Sequence, residues 1–405
     1  MQTPPINSWT RTISFGLLCL LLARASYADA PLEGVKPAQW RVIWTSNPAT
    51  TATISWSTAQ PGSSHVVEFR KRGDDSTQGV RAAESGRVTG GPHEFYYHHA
   101  RLTDLQPATA YEVRMVSDNE RSPLFYFVTA PAEDRPFSLM HGGDSRSDRK
   151  ERRRMNEFME NLVARSLKND DPADDILALA HGGDFIANGT NSEQWSEWLS
   201  DHELTTAADG RLLPIIPARG NHDIGPAFNQ IFGFPEDDLN YYAINITPQV
   251  RFITLNSETS TAGDQALWLE RELAQSRLTS RWIVPQYHRP AFPAVKLPGG
   301  ALLTWVPLFE KYNVDLVCES DGHNIKRTVP IRNNKPDETG VVYIGEGGLG
   351  VSQRTPKPDR WFLQEPGMAD KGSHVFVLTF TKDKLIGQCV LPTGDVRDRF
   401  TRNVR

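Results

Sequence analysis

Five short clusters of chemistry-bearing residues recur along this chain, each just after an apolar run. They are His141-Gly142-Gly143-Asp144, His181-Gly182-Gly183-Asp184, Gly220-Asn221-His222-Asp223, Tyr287-His288-Arg289-Pro290 and Ser320-Asp321-Gly322-His323. Carboxylates, an amide and imidazoles are ligands for hard and borderline metal ions. Two such ions ~3.5–4 Å apart can lower the pKa of a shared water and clamp the attacking and leaving oxygens of a phosphate ester. That pair needs one carboxylate held in common and oxygen or imidazole ligands on each side. It also needs glycine where the backbone turns sharply beside a ligand. A single Gly-Asp reads as a turn. Five clusters in series, each at a predicted strand end, read as a site.

The elements that must position these clusters follow a strand–helix alternation. Apolar runs at 136–140, 175–180, 212–218, 281–286, 314–318 and 341–345 read as buried strands. Helices are predicted between them at 148–167, 192–204, 264–273 and 302–312. This is α/β architecture, in which function sits in the loops at strand ends. The tail at 374–394 reads as a β-hairpin. Ahead of a short linker at 131–136, residues 35–130 look all-β. Ala52, Ile54 and Trp56 alternate, as do Tyr111, Val113 and Met115, and Pro61-Gly62, Gly90-Gly91-Pro92 and Gln106-Pro107 mark turns. Short strands at that spacing predict an antiparallel sandwich. LTDLQPATAYEVRM with the following FYFVTAP is similar to the closing strands of a fibronectin type III module.

The 405 residues are 39% hydrophobic and 23% charged, as in globular proteins, with a formal net charge of −5. That acidity argues against nucleic-acid binding, which needs a basic surface. The basic run at 149–154 reads as a solvated helix face. Residues 1–28 carry Arg11, an apolar run at 13–22 and Ser26-Tyr27-Ala28, the pattern of a cleaved secretory leader. The run is about half of the ~20 residues a membrane span needs. A secreted or periplasmic protein with no membrane span after cleavage is expected. Of three cysteines, Cys19 lies in the leader. Cys318 and Cys389 are too few for a disulfide framework or a cysteine metal site, and whether they pair is left open.

In order, GD…GD…GNHD…H…GH resembles the signature of the calcineurin-like metallophosphoesterases. The preceding domain, with VIWTSNPATTATISW and HARLTDLQPATAYEVR, makes the chain similar to purple acid phosphatases over roughly residues 40 to 400. The resemblance implies a fibronectin III-like N-terminal domain and, over 136–400, a β-sandwich flanked by helices. It implies a phosphoric-ester hydrolase working by in-line attack of a hydroxide that bridges two metal ions (Fe, Mn or Zn). Asp144 would bind the first ion, Asp184 both, and Asn221 and His288 the second. His222 would stabilise the transition state or protonate the leaving group, and Asp223 would orient it.

Three positions depart from the family pattern. Ala187 stands where purple members carry a ligating tyrosine, so no iron–tyrosinate colour is expected. Arg146 stands where other members carry a ligating histidine. A guanidinium cannot ligate, so Arg146 either holds a phosphate oxygen or pairs with a nearby acid. The family's closing GHxH admits two registers here. The preferred one makes His323 the last histidine and puts Asp321 in place of the first, because i and i+2 point the same way on an extended segment. Asp321 would then bind the second ion and His323 the first. His141 and His181 are either orienting groups or packed strand-end histidines. Gly345–Gly350 resembles a nucleotide loop but lacks its lysine, and reads as a pocket rim or turn. Trp361 and Phe362 are candidates for an apolar wall. A phosphomonoesterase is the preferred reading. A phosphodiesterase, a decayed phosphatase domain acting as a binding protein, and an adhesion module are the alternatives.

Overall fold

The computed structural model describes residues 30–74, 79–166 and 171–405, so the leader at 1–28 lies outside the described residues. The N-terminal strands are β1 (Ala38–Ile43), β2 (Ala52–Thr58), β3 (His65–Lys71), β4 (Gly79–Ala82), β5 (Glu84–Arg87), β6 (Tyr96–Leu102), β7 (Ala110–Ser117), β8 (Glu120–Arg121) and β9 (Phe125–Val128). There follow β10 (Phe137–Gly142), α1 (Arg149–Ser166), β11 (Ile176–His181), α2 (Ser192–His202), β12 (Pro214–Pro217), α3 (Ala227–Phe232), β13 (Tyr242–Thr247), β14 (Val250–Thr254), α4 (Asp264–Thr279) and β15 (Trp282–Gln286). The chain continues with α5 (Ala301–Thr304), α6 (Val306–Lys311), β16 (Leu316–Glu319), β17 (Ile325–Arg327), β18 (Ile331–Arg332), β19 (Lys335–Pro336) and β20 (Val342–Gly345). It closes with β21 (Met368–Asp370), β22 (Val375–Phe380), β23 (Lys384–Val390) and β24 (Val396–Asn403).

Two sheets face one another across the main core. One has ten strands in the order β24-β23-β22-β10-β11-β12-β1-β2-β6-β5, the other seven in the order β13-β14-β15-β16-β20-β17-β21. Leu139, Leu177, Ile216 and Phe376 of the first share a buried cluster with Phe252, Val284, Leu316 and Ile344 of the second. The outer faces are apolar as well. Met140 and Leu179 pack with Met155, Met159 and Val163 of α1, and Ile253, Ile283 and Val317 pack with Leu269, Leu273 and Phe309 of α4 and α6. Strands buried on both faces read as continuous apolar runs, as these do. β10, β11 and β12 are parallel, as are β14, β15, β16 and β20. The residues that leave their C-terminal ends are those of the five clusters.

The N-terminal region is all-β in two layers, with a second sheet ordered β4-β3-β7-β8 and β9 on β7. Its other layer does not stand apart: β1 pairs in parallel with β12, Val42 opposite Pro214, making one sheet across the linker. Other differences are local. The helix expected at 302–312 breaks at Trp305, where Pro307 opens α6 without an N–H to give. The helix predicted over 264–273 runs on to Thr279. The tail hairpin gains β24, in which Phe400 is the one inward apolar residue, so no alternation shows. Cys318 and Cys389 are both buried and free.

Glu203, just after α2, ties this region to β1 by accepting the Gln39 backbone N–H. Burial raises its carboxyl to about 8, against hydrogen bonds from the Gln39 and Trp40 backbone. The folded chain therefore keeps a proton that the unfolded chain releases near 4.5. The resulting stability is full below about pH 4.5 and is lost as pH rises through about 8. Glu203→Gln keeps an acceptor without the titration. It is expected to remove a loss on the order of a few kcal/mol across that window, read as the difference in denaturation midpoints at the two ends.

Candidate metal centre

Each cluster is placed by its backbone. Asp144, Asp184, Asp321 and His323 all adopt left-handed φ, at 56°, 58°, 69° and 60°. Such values are uncommon outside glycine, although Asp, Asn and His tolerate them best, and they gather at functional sites. The paired glycines before Asp144 and Asp184 have a steric cause. A Cβ on Gly143 or Gly182 would stand 2.5 or 2.1 Å from the Ser320 hydroxyl. Gly220 lies so close to Asp184 that a Cβ would sit 2.2 Å from its backbone N. The loop at Gly345–Gly350 is a cradle. Gly348 and Leu349 donate to the Gly143 carbonyl, and a Cβ on Gly347 would meet Asp144 Oδ2 at 1.8 Å.

Ligand atoms of Asp144, Asp184, His288 and Asp321, all buried, lie within 4.8 Å of one another. His288 Nδ1 donates to the Gly182 carbonyl at 2.8 Å, which turns Nε2 inward. That nitrogen is 3.2 Å from Asn221 Oδ1, 3.3 Å from Asp184 Oδ1 and 3.5 Å from Asp321 Oδ1. His323 Nε2 stands 3.2 Å from Asp144 Oδ1, an oxygen that is buried without a hydrogen bond. A buried, unbonded carboxylate oxygen amid carboxylates, imidazoles and an amide oxygen suits a cation. The set fits a binuclear metal centre. Burial opposes charge on Asp321, but His288 and Lys296 hold its carboxyl down at about 2. His288 pays for burial too, and Asp184 still raises it well above the ordinary imidazole value.

Among the described residues, Arg146 and Lys296 pair with carboxylates of the cluster. Arg146, 15% exposed, places Nε 3.0 Å from Asp184 Oδ2 and Nη2 3.5 Å from His323 Nε2. The acid it pairs with is thus a cluster acid. Lys296 pairs with Asp321 Oδ1. Lys296 carries little signal in the sequence: it is a lone lysine in the Pro- and Gly-rich segment that follows His288 and Arg289.

Two expectations are corrected. Asp223 does not orient His222. Its carboxylate accepts backbone N–H groups from Asp184, Phe185 and Gly220 at 2.8, 2.9 and 2.9 Å. His222 Nδ1 instead donates to the carbonyl of Ala187 at 2.7 Å, which leaves Nε2 4.0 Å from Asp184 Oδ2 and the side chain 33% exposed. Burial, then the Asp184 carboxylate, raises Asp223, while its backbone donors pull the other way. Second, Asp321 and His323 meet the cluster through left-handed turns, not along an extended segment. Ile325, the competing position for the last histidine, is fully buried in the core. His181 is buried, 3.0 Å from the Ser145 hydroxyl and stacked on Phe185. His141 is buried 3.5 Å from the Glu319 carbonyl.

A calcineurin-like phosphoesterase family model matches residues 153–324, and a purple acid phosphatase N-terminal domain model matches residues 37–129. The chain thus carries a calcineurin-like phosphoesterase domain behind a purple acid phosphatase N-terminal domain. It is similar to acid phosphatase type 7 of Mus musculus, 26% identical over 417 residues, or 88% of each chain. An uncharacterised protein of Mycobacterium tuberculosis is 26% identical over 353 residues, 77% of this chain, and the chain spans 63% of that relative's length. The solved purple acid phosphatase PPD1 from yellow lupin (Lupinus luteus) seeds shares the fold, with a TM-score of 0.76 at 17% identity over 90% of this chain and 74% of that one. The phosphoesterase match holds Asp184 to His323 and begins after Asp144.

Proposed function

We propose that this protein is an exported phosphoric-ester hydrolase that uses two metal ions and prefers phosphomonoesters. Residues 35–130 would be its N-terminal domain and 136–400 its catalytic domain. The observation that carries the reading is the buried cluster of Asp144, Asp184, His288 and Asp321 with Arg146 and Lys296 leaning on it. In this reading Asp144, Asp184 and His323 hold one ion, and Asp184, Asn221, His288 and Asp321 hold the other. Such ions, Mn, Fe or Zn, would supply an activated water and neutralise phosphoryl charge.

The chain's own groups do the rest. Arg146 and Lys296 grip phosphoryl oxygens by charge-assisted hydrogen bonds. Added to two ions, these cations outweigh the three carboxylates, so a dianionic monoester balances the site better than a monoanionic diester. His222, fixed at Nδ1 by the Ala187 carbonyl, keeps Nε2 at the site to hold a proton for the leaving oxygen. Asp223 keeps the Asp184 and Gly220 turns together. Export rests on the leader pattern at 1–28, and among the described residues no helix is long and apolar enough to cross a membrane.

The test strips the protein of metal, returns Mn²⁺, Zn²⁺ or Fe²⁺ singly, and follows p-nitrophenol release from mono- and bis-p-nitrophenyl phosphate. Metal-restored turnover, faster on the monoester, is expected. Lys296→Gln is expected to lower kcat/KM on the monoester by about 10–100-fold, the worth of one charged hydrogen bond, and to cost less on the diester. Folded protein inert with every ion would overturn the hydrolase and favour the binding-protein reading.

A further inference from the structure

Behind the metal centre lies a charged network that the proposed chemistry does not use. Lys326 of β17 is fully buried, as are Glu319 at the end of β16 and Glu346 just after β20. The Lys326 ammonium reaches Glu319 Oε2 at 2.5 Å, Glu346 Oε1 at 2.7 Å and the Phe292 carbonyl at 2.9 Å. All three of its donors are used.

Each partner reaches a different ligand-bearing segment. Glu319 Oε1 accepts the Tyr287 hydroxyl and the Ala291 N–H, both at 2.6 Å, on either side of His288. Glu319 itself stands two residues before Asp321. Glu346 accepts the Ala294 N–H at 3.1 Å and the Asn324 amide at 3.0 Å. Its backbone carbonyl takes the His323 N–H at 2.7 Å, and its N–H donates to Asn324. The next residue, Gly347, backs directly on Asp144. A buried ion network is often no better for stability than apolar packing of similar volume, so its geometry is the better guide to its use.

We propose that Lys326, with Glu319 and Glu346, is the positioning device of the metal centre, fixing the segments of His288, Asp321 and His323 relative to the cradle of Asp144. This rests on the metal-centre reading above. The left-handed turns at Asp321 and His323 have no regular ladder to hold them, and the network supplies the missing constraint. It touches neither substrate nor ion.

The experiment titrates Mn²⁺ by calorimetry into metal-stripped full-length protein and compares wild type, Lys326→Met and Glu346→Gln, with thermal midpoints of the metal-free forms. Glu346→Gln keeps the Lys326 contact but turns an amide NH₂ toward Asn324 and Ala294. It is expected to bind the weaker ion at least about 10-fold less tightly, with kcat recovering at saturating Mn²⁺. Lys326→Met is expected to lose more, and if it does not fold Glu346→Gln decides. Mn²⁺ affinity within about twofold of wild type, whatever the midpoint, would make the network purely structural and overturn the proposal. Wild type that takes up no Mn²⁺ would instead overturn the metal-centre reading, and this inference with it.

Discussion

Asp184→Asn is expected to cut phosphomonoester turnover more than about 100-fold while leaving the fold in place. Losing a group that merely orients a metal ligand already costs about 10–100-fold. Asp184 is placed to be a ligand, with Oδ1 toward His288 and the His222 N–H and Oδ2 toward Arg146. Asparagine is neutral and its amide oxygen is a much weaker donor to cations, so the ions would lose the anionic ligand they are proposed to share. It does tolerate the left-handed φ of 58° at this position, and its carbonyl can still accept the His222 N–H. Circular dichroism and the melting midpoint should therefore stay near wild type while kcat and metal stoichiometry fall together. A variant keeping half the wild-type rate would sink the assignment.

Asp223→Ala should fail in the opposite way, through the fold. The buried carboxylate is the acceptor for three backbone N–H groups, from Asp184, Phe185 and Gly220. Each buried donor left alone costs about 1–3 kcal/mol, so a loss on the order of 5 kcal/mol is expected, a large part of ordinary domain stability. Asparagine is no rescue. Asp184 and Gly220 both donate to Oδ2, so one amide orientation sets NH₂ against two donors and the other sets it against Phe185. Chemical denaturation of the metal-free protein measures this. A midpoint matching wild type would show that the turns hold without Asp223.

Much of the site was legible because its chemistry is conspicuous. Carboxylates, imidazoles and paired glycines at the ends of apolar runs stand out from solvated residues, and their order is informative. What stayed hidden is carried by groups that residue type does not announce. The His222 partner is a backbone carbonyl that alanine supplies as well as any residue. The left-handed turns at Asp321 and His323 fall on non-glycine residues, so an extended segment was the natural expectation. Lys326 reads as a surface lysine until its two buried carboxylates are seen, because burial of a paired charge leaves no periodic trace. The fold was legible where strands are apolar on both faces. It was less so at β24, where charge covers the pattern, and at β1, whose partner lies far along the chain.

That partnership of β1 with β12 bears on how such a protein can be taken apart. The Pro131-to-Pro136 stretch looks like a place to cut, but the ladder between Val42 and Pro214 crosses it. Separating the parts there would leave the Ile215 carbonyl of β12 without the Trp44 N–H it accepts and would uncover Ile215, which shares a buried cluster with Ile43, so an open rim and an apolar face would meet solvent. The same strand leads to Gly220 and Asn221, so the exposed rim would lie one short loop from the residues proposed to hold the ions. The N-terminal region is thus not a detachable cassette but the cover of a sheet edge, and a shortened form of this protein has to keep the two parts together.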